Sequence, residues 1–255
     1  MSPLFTDDEG SGPPLVFLHG FCETHEIWKA FVKPLKAQFR IILIDLPGFG
    51  RSEILASPFS IDDVGNEVAN WLRENQILKS ILIGHSLGGY VALSVAAQHS
   101  QLLEGIGLFH SIAFEDSQEK KENRNKVIEF VRKNGVQPFI DTFVPGLFFD
   151  KSNPSIPHIH KIASQTEAET LMGYTSAMRD RSDRSSALKS SIPKLLLAGT
   201  EDTLIPIEVS RRMGKMSENS DFFELKNTAH MGFLESKKEC QSIIRRFAGQ
   251  IFFNN

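Results

Sequence analysis

Short aliphatic runs alternate with longer amphipathic stretches along this chain. Leu15–Leu18, Arg40–Ile44 and Ser80–Ile83 are apolar at nearly every position, the pattern of strands buried on both faces of a parallel sheet. Gly105–Phe109, Lys194–Ala198 and Asp221–Leu225 continue the series. Between them the apolar spacing becomes helical. Ile61, Val64, Val68, Trp71 and Leu72 share one face of residues 60–75, with Ser60 placed as N-cap. Further helices are predicted over residues 86–99, 206–217 and 235–251. Strand–helix alternation of this kind predicts a doubly wound, mostly parallel α/β sheet.

One segment breaks the rhythm. From Ile112 to Leu188 no strand pattern is present, only helical stretches over residues 117–134, a Phe-rich tract over 135–149 and another helical stretch over 158–181. About 75 residues is too long for a plain loop in a compact domain. The division predicted is a core of residues 1–111 and 189–255, with residues 112–188 as an inserted helical cap.

The strongest chemical signal is Gly84-His85-Ser86-Leu87-Gly88, a G-x-S-x-G pattern between a predicted strand and a predicted helix. Such a turn needs glycines because the neighbouring backbone comes too close for larger side chains. It would hold the Ser86 hydroxyl above the sheet, at a helix N-terminus suited to developing negative charge. A serine nucleophile needs a base, and the base an orienting acid. Asp202 follows the strand ending at Ala198, and His230 lies between the last strand and the last helix. Ser86, Asp202 and His230 thus stand in the order Ser…Asp…His, each past the carboxyl end of a strand. Glu201 adjoins Asp202 and is the competing acid.

Composition narrows the partners. The 255 residues carry 28 Lys+Arg against 31 Asp+Glu, a formal net charge of -3, with no basic excess to suggest nucleic-acid binding. Cys22 and Cys240 are too few for a disulfide framework and read as reduced thiols. The opening residues lack the pattern of an export signal, and no apolar run approaches membrane-spanning length. A cytoplasmic protein is expected.

The chain resembles the α/β-hydrolase superfamily, in its cap-bearing, esterase-like branch. The resemblance rests on Leu18-His19-Gly20-Phe21, Asp45-Leu46-Pro47-Gly48-Phe49-Gly50-Arg51-Ser52, Gly84-His85-Ser86-Leu87-Gly88-Gly89, Gly199-Thr200-Glu201-Asp202 and His230-Met231-Gly232-Phe233-Leu234-Glu235. It implies an oxyanion hole made by the backbone N–H groups of Phe21 and Leu87, and the spacing from Gly199 favours Asp202 over Glu201. It implies hydrolysis of a small or medium carboxylic ester through an acyl-enzyme on Ser86, with no metal or other cofactor. Lactone hydrolysis, of enol-lactones in particular, carbon–carbon bond hydrolysis and perhydrolysis use the same triad. A ligand receptor on this fold is the non-enzymatic alternative. The family's usual first two strands do not fit the 13 residues before Pro14, so one short strand near Leu4–Thr6 and an abbreviated sheet edge are expected.

Other residues divide between site and scaffold. Cys22, His25 and Trp28 follow the oxyanion segment and are candidate pocket residues. Phe139, Phe143 and Phe148 are candidates for an apolar pocket roof, since 20 phenylalanines against two tyrosines and two tryptophans include this local cluster. His85 and His19 read as supporting residues, Asp45 as the anchor of a loop. His158 and His160 do not align as metal ligands on either a strand or a helix. Ser186 and Lys189 match S-x-x-K without the partner motifs of penicillin-recognising enzymes. Lys120, Lys121, Arg124 and Lys126 read as a solvated helix face.

Overall fold

The computed structural model describes residues 4–217 and 219–253. Seven strands form one sheet: β1 (Thr6–Glu9), β2 (Pro14–Leu18), β3 (Arg40–Ile44), β4 (Ser80–His85), β5 (Leu103–Phe109), β6 (Lys194–Gly199) and β7 (Ser220–Leu225). Their order is β1-β3-β2-β4-β5-β6-β7. All neighbours are parallel except β1, which runs antiparallel to β3. β4 and β6 are buried at every position, which is why Ile81–Ile83 and Leu195–Ala198 within them read as apolar runs.

The abbreviated edge is present, but its strand lies at Thr6–Glu9 rather than Leu4–Thr6. An edge strand tolerates charge on its outer side. Asp8 pairs with Arg40 and Glu9 with Lys36, so charged residues fasten this strand at the sheet edge.

Helix α1 (Glu26–Val32) follows β2 and carries no clear periodic signal because it is short. α2 (Ile61–Glu74) starts where predicted. Ser60 Oγ accepts from the Asp63 N–H and Asp63 caps back onto Ser60, a reciprocal box. α3 (Leu87–Gln98) is buried over most of its length. α8 (Ile207–Met216) follows β6, and the final predicted helix is two: α9 (Gly232–Glu235) and α10 (Lys237–Phe253).

Between β5 and β6 the chain leaves the sheet for α4 (Gln118–Asn134), α5 (Gln137–Gly146), α6 (Ile156–Ala163) and α7 (Ala168–Arg179). The single stretch predicted over 158–181 is therefore broken into two helices. α4 packs on α7 and α5 on α6. The α7 side is tied to the loop after β3, since Tyr174 Oη donates to the Pro47 carbonyl at 2.9 Å and Thr170 Oγ1 to that of Gly48 at 3.1 Å. No helix among the described residues is long and apolar enough to cross a membrane.

Candidate active site

Parallel strands place their carboxyl ends on one edge of the sheet, and the loops leaving β2, β4, β5, β6 and β7 meet there. Ser86 follows β4 at φ 48° and ψ -110°, a backbone conformation that non-glycine residues rarely hold without compensation. The compensation is close packing. A Cβ on Gly84 would lie 2.2 Å from the Gly88 carbonyl carbon, and one on Gly88 would lie 2.5 Å from the Leu18 carbonyl oxygen. These glycines let strand, turn and helix touch, and leave Ser86 on the wall of a cavity of about 350 Å³ that His230 also lines.

His230 Nδ1 lies 2.8 Å from Asp202 Oδ2. Asp202 is held in turn by its other oxygen, which accepts the N–H groups of Leu204 and Ile205 at 2.9 and 3.0 Å. Burial alone would raise the Asp202 carboxyl. The adjacent His230 charge and hydrogen bonds from His110 and His230 outweigh it and hold the group far below the usual carboxylate range. Glu201 is exposed and bonds with Thr200 instead. The backbone around His230 is pinned from two sides, its N–H donating to the Leu147 carbonyl at 2.9 Å and its own carbonyl accepting from His85 Nε2 at 2.9 Å.

His85 does more than fill space. Its Nδ1 lies 2.9 Å from Glu23 Oε2, and both side chains are sealed from solvent. Glu23 Oε2 also accepts the Gly20 N–H at 2.6 Å. Burial opposes charge on both groups, but their mutual attraction wins: the His85 pKa is raised and that of Glu23 lowered. A Cβ on Gly20 would sit 2.5 Å from His85 Nδ1, so the His19-Gly20 pair is a packing requirement of this contact. His19 spans the same loop, accepting the Leu46 N–H at Nε2 (3.0 Å) and donating from Nδ1 to the Gly20 carbonyl (2.8 Å). Among the described residues the backbone N–H groups of Phe21 and Leu87 have no protein acceptor.

Three residues expected in the pocket are elsewhere. Trp28 is fully buried in an aromatic cluster with Phe17, Phe31, Phe109 and Phe233. His25 Nδ1 is held 2.8 Å from Asp45 Oδ1, which makes Asp45 the anchor of its loop as read, through the N–H groups of His25 and Arg51. Cys22 is buried, and burial pushes its thiol pKa up. All three side chains are buried, and none lines the cavity. Phe148 likewise is fully buried and lines no part of the cavity. Phe139 and Phe143 do line it, stacked with centroids 5.0 Å apart, and Phe21 meets them edge-on at 6.3 and 6.0 Å.

Other positions escaped the sequence reading. His110, with φ 47°, follows β5 and puts Nδ1 3.3 Å from Asp202 Oδ2. Burial pushes its pKa down to about 4. A Cβ on Gly232 would lie 2.2 Å from His110 Nε2, so the glycine two residues after His230 makes room for this second ring. The signal available was position alone, at the carboxyl end of a strand. Lys120 and Arg124, read as a solvated face, line the cavity, whereas Lys121 pairs with Glu115 and Lys126 is exposed. His158 is exposed and His160 pairs with Asp141 at 2.8 Å. His110, Asp202 and His230 bring donor atoms within 4.8 Å of one another, but those atoms are already engaged with each other.

Comparison with known proteins agrees with this architecture. The model of the alpha/beta hydrolase fold family matches residues 13–237. A pimeloyl-[acyl-carrier protein] methyl ester esterase of Vibrio vulnificus is 26% identical over 97% of this chain and 98% of its own. The 3-oxoadipate enol-lactonase 1 of Acinetobacter baylyi is 26% identical over 94% and 90%. Among solved structures, a thermophilic esterase from Thermogutta terrifontis with malate bound superimposes with a TM-score of 0.91 at 28% identity, over 98% of this chain and 94% of that one. The chain belongs to the α/β-hydrolase fold family.

Proposed function

We propose that this protein is a serine hydrolase cleaving carboxylic esters through an acyl-enzyme on Ser86. The observation that carries the reading is the shared cavity: a serine at a strained strand-to-helix turn and a histidine 2.8 Å from a buried aspartate open onto the same space. His230 Nε2 takes the Ser86 proton as Oγ attacks the substrate carbonyl. Asp202 holds the ring in its Nδ1–H form and stabilises the imidazolium. The tetrahedral oxyanion accepts from the Phe21 and Leu87 N–H groups, a contribution worth roughly 10²–10³ in turnover per donor. Collapse expels the alcohol, which takes the proton from His230. Water, deprotonated by His230, then attacks the acyl carbon and frees the acid and Ser86.

Residues 112–188 act as a cap over this cavity in the proposed enzyme, with Phe139 and Phe143 presenting an apolar surface to the substrate. Support comes from the esterase and lactonase relatives and from the helices that line the cavity beside Ser86. Lactone cleavage uses the same groups and is the second reading, favoured by the enol-lactonase relative. Turnover of p-nitrophenyl acetate and butyrate tests the assignment. Activity lost in Ser86→Ala, with fluorophosphonate labelling confined to Ser86, is expected. Absence of both turnover and labelling in the wild-type protein refutes it.

A further inference from the structure

The cavity beside Ser86 has a charge asymmetry that hydrolysis of a neutral ester does not require. Its lining includes Lys120, Asn123 and Arg124 from α4 and, among the described residues, no carboxylate. Lys120 and Arg124 are four residues apart and share a helix face. Neither is fully satisfied by the protein. Lys120 Nζ donates to a neutral partner, the Leu204 carbonyl, at 3.3 Å. Arg124 Nε bonds to Asp116, while Nη1 reaches only the weakly accepting thioether of Met178 at 3.5 Å.

Asp116 does not neutralise this wall, because it is shared. Its other oxygen lies 2.8 Å from Arg181 Nη1. Arg124 and Arg181 thus share one carboxylate, and Lys120 has no carboxylate partner among the described residues. The other acids nearby are occupied or solvated: Glu115 pairs with Lys121, and Glu119 and Glu122 are exposed. Lys120 and Arg124 are half-buried, where incompletely paired charge is held at a free-energy cost that a ligand anion lowers. Phe21, Phe139 and Phe143 supply an apolar surface in the same cavity.

We infer that Lys120 and Arg124 bind a carboxylate on the substrate, so that the ester cleaved at Ser86 is a half-ester or lactone bearing a free acid beyond a short apolar spacer. This rests on the hydrolase reading and adds the substrate class to it. Nucleophile, base and acid need no such wall.

The test is kcat/KM for monomethyl glutarate and monomethyl adipate against the dimethyl esters of the same acids. A preference of about tenfold or more for the half-esters is expected, as befits a charge-assisted contact. Lys120→Met should cut that ratio about tenfold, and Lys120→Arg should retain it. Equal or poorer use of the half-esters, or a ratio unmoved in Lys120→Met, overturns the inference. Calorimetry on the Ser86→Ala protein reads the same wall without turnover, with glutarate binding about tenfold more tightly than butyrate if the inference holds, and equal affinity refuting it. Turnover of diesters with no preference leaves the hydrolase standing and removes the anion wall. Selective glutarate binding without turnover or Ser86 labelling does the reverse.

Discussion

Glu23 and His85 form an ion pair sealed from solvent, Oε2 to Nδ1 at 2.9 Å, and through it three loops are joined. Glu23 holds the Gly20 N–H before Phe21, His85 precedes Ser86, and His85 Nε2 holds the His230 carbonyl. Both His85 partners accept, so the ring carries both protons.

Removing one partner leaves a buried charge without its counter-ion. Glu23→Gln is expected to lower unfolding free energy by about 3–5 kcal/mol, read by urea denaturation. The double variant Glu23→Gln/His85→Gln should regain part of that loss, because no lone charge remains. If the pair positions His230 and the Gly20 loop, kcat in the double variant falls more than KM rises.

The strain at Ser86 predicts a stability gain from losing it. Glycine adopts φ 48° freely. Ser86→Gly is expected to abolish turnover while raising unfolding free energy by about 1 kcal/mol, the relief of strain less the entropy of the added glycine. A melting temperature below that of Ser86→Ala contradicts this.

His110 sets an acid-side dependence. Its native pKa of about 4 lies below the ordinary 6.5, so between these values the unfolded chain binds the extra proton. Stability therefore falls as pH drops from 6.5 toward 4, by an amount on the order of 3 kcal/mol in all. His110→Gln should flatten that part of the stability–pH curve. His85, raised above 6.5, acts in a separate window, its contribution present below 6.5 and lost as pH rises through its native value.

Cys22 and Cys240 should be inert in the native protein. Both are buried, and burial raises both thiol pKa values, Cys240 to about 12. Ellman's reagent is expected to find no fast-reacting thiol under native conditions and both in denaturant.

Local pattern was sufficient for much of this molecule. The five inner strands stood out because burial on both faces demands apolar residues at successive positions. Gly84 and Gly88 flagged the turn because a Cβ there collides with backbone. Edge strand β1 was displaced because its charged outer residues disguise it, and α1 was missed for want of length. The candidate site was legible only where a loop motif is short-range.

What the sequence by itself determined is the strand–helix alternation, the strand-free helical stretch between β5 and β6 and the positions of Ser86, Asp202 and His230 past strand ends. Tertiary structure alone decided where the remaining side chains point. It buried Cys22, His25 and Trp28 away from the cavity, put Phe148 in the core, brought His110 to Asp202 and set Lys120 and Arg124 on the cavity wall. The reason is physical. Periodicity reports which face of an element is apolar, whereas partners far apart in the chain, Glu23 with His85 or Asp116 with Arg181, settle which polar groups are drawn inside.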